Sequence, residues 1–132
     1  MHLVVDGYGG DPQALADQGL VRELLDEYPE RLGMTKISQP VVVRYVGPKP
    51  QDWGISGFVM IAESHIAVHT FPERGMVWMD VFSCRGFDEA PILEDLRERF
   101  GLTELRLQRL ERGLEYLETA EAGPPQRQTM SG

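Results

Sequence analysis

The sequence predicts an α+β fold: a two-layer sandwich, an antiparallel sheet with two helices on one face, in the order β-α-β-β-β-α-β. Three observations point there. Short apolar and β-branched runs dominate the middle of the chain. Only two stretches before the last strand repeat their apolar residues at helical spacing. Strands with so few crossover helices between them favour antiparallel pairing with the helices gathered on one side. The two halves each combine strands with one helix, but the letters show no repeat.

Leu3 to Val5 is a short apolar run ended by Gly7-Tyr8-Gly9-Gly10, so it reads as a strand and a turn. Asp11-Pro12 is a helix start, an N-cap followed by proline at the first helical position. Leu15, Leu20, Val21, Leu24, Leu25 and Tyr28 then recur at helical spacing, interrupted by Gly19 and ended by Pro29. Val41 to Val46 is the clearest strand, β-branched and bounded by Pro40 and Gly47. Residues 48–54 form a loop with two prolines and a glycine. Ile55 to Ala62 and Ile66 to Phe71 read as strands with the polar break Glu63-Ser64-His65 between them. After the turn Pro72-Glu73-Arg74-Gly75, Met76 to Cys84 is another apolar strand. Asp88 caps a second helix with Ile92, Leu93, Leu96 and Phe100 on one face and Gly101 at its end. Leu105 and Leu107 alternate with polar neighbours as a last strand, while Leu110, Leu114 and Leu117 keep a helical reading open.

Composition narrows the function. The 132 residues suit one domain, over 1–120, with 121–132 as a disordered tail rich in Gly, Pro and Gln. Thirteen basic residues stand against 21 acidic ones, a formal charge of −8. A nucleic-acid partner, which needs a basic face, is not expected. One cysteine excludes an internal disulfide framework and a cysteine-based zinc site. No apolar run reaches membrane-spanning length and the start lacks a signal-peptide pattern, so a cytoplasmic protein with no membrane partner is expected.

The chemistry-bearing residues fall between Ser56 and Cys84: Glu63-Ser64-His65, then His69, then Cys84. Side chains at strand ends and turns can converge there. By type alone each has an ordinary explanation. A Ser-His pair in a loop most often decorates a hydrogen-bond network, a histidine in an apolar strand is most often structural, and a lone cysteine is most often a small buried hydrophobe. A Ser-His-Asp hydrolase fits poorly without a G-x-S-x-G elbow. A zinc site is discounted, because His65 and His69 on one strand face lie about 13 Å apart at ~3.3 Å per residue.

The run Glu63-Ser64-His65-Ile66-Ala67-Val68-His69-Thr70-Phe71-Pro72-Glu73 resembles the E-S-H-x-x-x-H-T-W-P-E signature of bacterial and archaeal S-adenosylmethionine decarboxylases. Gly54-Ile55-Ser56-Gly57 resembles their G-V-S-G, Asp80-Val81-Phe82-Ser83-Cys84 their D-V-F-T-C, and His2-Leu3-Val4 their H-L-V. The resemblance extends over roughly residues 2 to 112.

The resemblance implies a self-processing proenzyme. Ser64 Oγ attacks the Glu63 carbonyl, and the chain splits between residues 63 and 64. Ser64 becomes a covalent pyruvoyl group, with no metal and no pyridoxal phosphate. His69 takes the Ser64 α-proton, a task that suits a histidine, and Ser56 assists. The pyruvoyl forms a Schiff base with the substrate amine and accepts electrons as carbon dioxide leaves. Cys84 returns a proton, since a thiol holds its proton at neutral pH and can release it. The implied product is the aminopropyl donor for spermidine. The implied assembly is a homodimer of cleaved protomers that joins two sheets and shares active-site residues.

The substrate pocket departs from the family more than the catalytic positions do. The family's adenine-stacking aromatic, in an H-x-F stretch, falls near Pro50 here, leaving Trp53 and Phe71 as candidate platforms. Phe71 replaces a tryptophan, Arg74 a tyrosine, and Trp78 a small residue. Asp6 replaces a glutamate, and Glu73, implied to bind ribose hydroxyls, is kept. These changes leave a same-fold decarboxylase of free arginine or ornithine as the alternative. A non-catalytic subunit of the same fold is disfavoured by the intact Glu63, Ser64, His69 and Cys84.

Overall fold

The computed structural model describes residues 1–112. The first strand, β1 (His2–Tyr8), runs further than its apolar core, because Gly7 remains in the ladder and the turn begins only at Gly9. Asp11 caps a single helical turn, α1 (Pro12–Leu15), by accepting the Gln13 N–H. A second cap follows at once. Asp17 accepts the Leu20 N–H and starts α2 (Gln18–Arg31). The expected single helix is therefore two, split where a second aspartate offers the chain an alternative to continuing. Pro29 does not end α2 but lies within its last turn. The bond its nitrogen cannot donate falls near the helix end, and two more residues follow before Leu32 closes the turn on Tyr28 O and Pro29 O.

Four strands, not three, separate α2 from the last helix: β2 (Val41–Tyr45), β3 (Gly54–Ile61), β4 (Ser64–Phe71) and β5 (Met76–Ser83). All four are the runs expected as strands, and only the written order β-α-β-β-β-α-β counts one of them too few. The polar break between β3 and β4 is only the two-residue turn Ala62-Glu63, and Ser64 and His65 already belong to β4. Helix α3 (Ala90–Phe100) follows, with Asp88 accepting the Ala90 N–H at 3.1 Å. Gly101 ends α3 in the left-handed conformation, φ 65°, which glycine adopts without a Cβ clash. Strand β6 (Glu104–Leu110) closes the described fold and takes in Leu110, overturning its helical reading. Leu114, Leu117 and the expected tail lie outside the described residues.

The six strands form one antiparallel sheet in the order β2-β3-β4-β5-β1-β6. Its two faces differ sharply. Leu3 and Val5, Ile55, Val59 and Ile61, Ile66 and Val68, and Val77, Met79 and Val81 alternate inward and are all but fully buried. Leu15, Val21, Leu24, Leu25, Ile92, Leu96 and Phe100 of the helices complete this core. Thr70, buried on the same face, donates to Leu15 O at 2.7 Å and accepts the Ile55 N–H at 3.0 Å, so it ties the sheet to α1. Gly54 lies so close to β4 that a Cβ there would sit 1.8 Å from Thr70 O. Between α2 and α3 a half-buried network forms, with the Tyr28 hydroxyl donating to Asp95 at 2.7 Å and Arg99 bridging Asp95 and Glu27. Burial, then the bond to Asp95, pushes the Tyr28 phenol far up.

No described helix covers the opposite face. Val41, Val43, Tyr45, Phe58, Met60 and Trp78 stand on it, each 43–55% exposed. That is an unusual amount of apolar surface for one sheet face.

Candidate active site

The Ala62-Glu63 turn is irregular. Two-residue hairpin loops normally match the strand twist by placing positive φ inside the loop. Here neither Ala62 nor Glu63 does so, and among the described residues the single positive φ outside glycine falls on Ser64, at 158°. Segment 34–38 braces the turn, with Ala62 N–H donating to Thr35 O at 2.8 Å and Ile37 N–H to Met60 O at 3.0 Å. Strand β5 runs beside β4 with Ser83 opposite Ser64, so Cys84 arrives next to the turn. There the Cys84 N–H donates to the Glu63 carbonyl oxygen at 3.1 Å. The Ser64 hydroxyl is 3.2 Å from His65 Nδ1. A peptide carbonyl that precedes a serine and is held by a main-chain N–H has a donor aimed at the oxygen that would gain charge in an attack by that serine.

The Glu63 side chain is 9% exposed and held in place. Oε1 accepts the Thr35 N–H at 3.2 Å and Oε2 accepts Arg85 Nη2 at 2.7 Å. Desolvation pushes the carboxyl upward, but the N–H groups of Thr35 and of Glu63 itself, then Arg85, outweigh it and hold the group below the usual glutamate range.

A second cluster lies at the other end of β4. Ser56 on β3 pairs with His69 on β4, and Ser56 Oγ is 2.9 Å from His69 Nδ1. Both line an open groove of about 520 Å³ with Tyr45, Phe71, Arg74 and Trp78. Phe71 meets Trp78 edge-on, ring centres 4.5 Å apart, and Asp52 pairs with Arg74 at 2.8 Å in the wall.

These two clusters are not joined within one chain. Ser64 falls in phase with the inward residues Ile66 and Val68, and His69 falls on the uncovered face. Five residue steps along the strand separate them, about 16 Å at ~3.3 Å per residue. The resemblance implies that Ser64, Cys84, His69 and Ser56 serve one reaction. The fold brings Glu63, Ser64 and Cys84 together, brings Ser56 and His69 together, and keeps the pairs apart.

Comparison with known proteins gives the chain a family. A profile described as S-adenosylmethionine decarboxylase matches residues 1–113. The chain belongs to the S-adenosylmethionine decarboxylase family. It is 32% identical to the S-adenosylmethionine decarboxylase proenzyme of Pyrococcus furiosus over 115 residues, 86% of this chain and 78% of that protein. It is 33% identical to the proenzyme of Acidithiobacillus ferrooxidans over 112 residues, 84% of this chain and 80% of that one. The crystal structure of the adenosylmethionine decarboxylase of Aquifex aeolicus superposes with a TM-score of 0.69 at 31% identity, covering 85% of this chain and 88% of that one.

As a member of this decarboxylase family, the chain carries its expected substrate residues in mixed positions. Phe71 lines the groove. Trp53 does not. It packs against the core, with Arg44 stacked 4.7 Å over its ring and its Nε1 donating to Glu73 Oε1 at 3.3 Å. Asp6 lies on β1 opposite Trp78 and Arg106. Trp78, which replaces a small residue of the family pattern, lines the groove at 44% exposed, and Tyr45 lines it at 55%. Thr35 and Arg85 carried no sequence signal of a role, since only the fold brings residue 35 to residue 63. Among the described residues no group of three or more His, Cys, Asp or Glu is placed to hold a metal ion. None of their helices is long and apolar enough to cross a membrane.

Proposed function

We propose that this chain is a pyruvoyl-dependent S-adenosylmethionine decarboxylase that makes its own prosthetic group from Ser64. The observation that carries the reading is the Cys84 N–H on the Glu63 carbonyl oxygen, beside the Ser64 hydroxyl, in a chain of this family. Ser64 Oγ bonds to the Glu63 carbonyl carbon, the carbon–nitrogen bond breaks, and the hydroxyl proton passes to the freed nitrogen. Charge on the carbonyl oxygen during this shift faces the Cys84 amide. Loss of the Ser64 α-proton then expels Glu63 as a carboxylate, and water replaces the nitrogen, released as ammonia. The residues present fit the resulting group, because Ser64 sits at a strand start with the Cys84 backbone against the neighbouring carbonyl.

The pyruvoyl supplies a ketone that condenses with the substrate amine and accepts the electrons released with carbon dioxide. Cys84 holds the proton returned to the substrate carbon. His69, oriented by Ser56, takes the Ser64 α-proton. A second copy supplies that histidine, since His69 and Ser64 of one chain lie at opposite ends of β4. The apolar face with Val41, Val43, Phe58 and Met60 is the surface on which two copies meet, so the working unit is a homodimer. Phe71 and Trp78 hold the adenine by stacking, and Glu73 and Asp6, which do not line the groove in one chain, are the polar contacts the resemblance implies. The enzyme acts in the cytoplasm on the way to spermidine. The free-amino-acid alternative draws no support from the names of the relatives.

Release of carbon dioxide from carboxyl-labelled S-adenosylmethionine, arginine and ornithine, assayed in parallel on cleaved protein, tests the substrate. Turnover of S-adenosylmethionine is expected. Turnover of arginine or ornithine alone overturns this choice.

A further inference from the structure

The hold on Glu63 extends to a residue outside the reaction. Thr35 presents both of its backbone groups to the turn, its N–H to Glu63 Oε1 and its carbonyl to the Ala62 N–H. On the opposite side Cys84 holds the Glu63 main-chain oxygen and its neighbour Arg85 holds the side chain. Two consecutive residues thus fix both branches of Glu63. The Arg85 side chain is 57% exposed, so it is not packed to fill a core. It borders a polar crevice of about 190 Å³ between residues 32–34 and Ser83. An exposed arginine pinning a buried carboxylate at the bond to be broken restrains that bond's geometry.

We infer that Arg85 is a positioning residue for self-cleavage: with Thr35 it anchors the Glu63 side chain, and so keeps the scissile carbonyl on the Cys84 amide while Ser64 attacks. The inference rests on the self-cleaving reading above. Arg85 touches no reacting atom and gives or takes no proton. Its contribution is to the fraction of time the carbonyl spends in attack geometry.

The test follows conversion of freshly made precursor by intact mass in wild type, Arg85→Ala and Arg85→Lys. Arg85→Ala is expected to slow cleavage roughly tenfold, the scale of one charge-assisted hydrogen bond. Arg85→Lys is expected to recover part of the loss. Millimolar guanidinium chloride is expected to speed Arg85→Ala and not wild type. In a Glu63→Gln background, removing Arg85 is expected to change the rate little. Arg85→Ala cleaving within twofold of wild type overturns the inference. So does a slow Arg85→Ala that neither lysine nor guanidinium improves, because that is a fold effect alone. Wild type that never cleaves removes the self-cleaving reading itself, and the inference with it.

Discussion

The Cys84 amide donates to the Glu63 carbonyl oxygen at 3.1 Å, so the residue assigned to protonate the substrate also holds the bond that must break first. The two tasks use different atoms. In the proposed mechanism cleavage uses the main-chain N–H and decarboxylation uses the thiol. Cys84→Ala is therefore expected to cleave normally and then turn over 10²–10⁴-fold more slowly, the usual loss for a general acid. Misplaced protonation should also consume the pyruvoyl by transamination. Separate measurements of cleavage and of carbon dioxide release check this, and wild-type turnover in Cys84→Ala would remove the thiol from the mechanism.

The separation of Ser64 from His69 makes a prediction about mixtures. Ser64→Ala lacks the nucleophile and is expected to stay uncleaved. His69→Ala is expected to stall as an ester that hydroxylamine opens. Co-expressed, the two chains are expected to form mixed dimers in which the Ser64→Ala subunit lends its His69 to its partner. The His69→Ala chain should then mature. Mixed dimers that form but never cleave would contradict a shared site.

The clamp on Glu63 sets a pH dependence. Its carboxyl is held below the ordinary glutamate value of 4.5, so its stabilisation is complete above that value and is lost as the pH falls through the lowered one. In an uncleavable Ser64→Ala background, adding Glu63→Gln should lower the urea midpoint at neutral pH. The gap should close in acid. A gap unchanged between about pH 7 and about pH 3 would show that the ionised carboxylate contributes nothing.

Trp78 is an exposed aromatic of the groove that packs on Phe71, whereas Trp53 is occupied by Arg44 and Glu73. Stacking on a base contributes about 1–3 kcal/mol. Trp78→Ala should raise the KM for S-adenosylmethionine roughly tenfold with a smaller change in kcat. Trp53→Ala should act more weakly on KM. The reverse order would restore Trp53 as the adenine platform.

The parts of this protein that were readable from its sequence are those fixed by local patterns. The apolar runs Ile66 to Phe71 and Met76 to Cys84 mark strands, and Asp11-Pro12 marks a helix start. The second cap at Asp17 was hidden, because the apolar spacing from Leu15 to Leu25 passes through it almost in phase. The type and order of Glu63, Ser64, His69 and Cys84 were legible, and their spatial grouping was not. Strand parity places Ser64 and His69 out of phase, but parity decides a site only when one knows where a strand begins. That β4 begins at Ser64 itself depends on a two-residue turn braced from residue 35, a contact across 28 positions of chain.

Self-conversion of Ser64 is tested most directly by the intact mass of the purified protein, incubated without protease. Two chains are expected, residues 1–63 and 64–132, which stay associated because neither fragment buries a core alone. The second chain should be lighter by one ammonia than a chain beginning with serine. A single full-length mass after long incubation, or a second chain still beginning with serine, would contradict conversion of Ser64 into the prosthetic group.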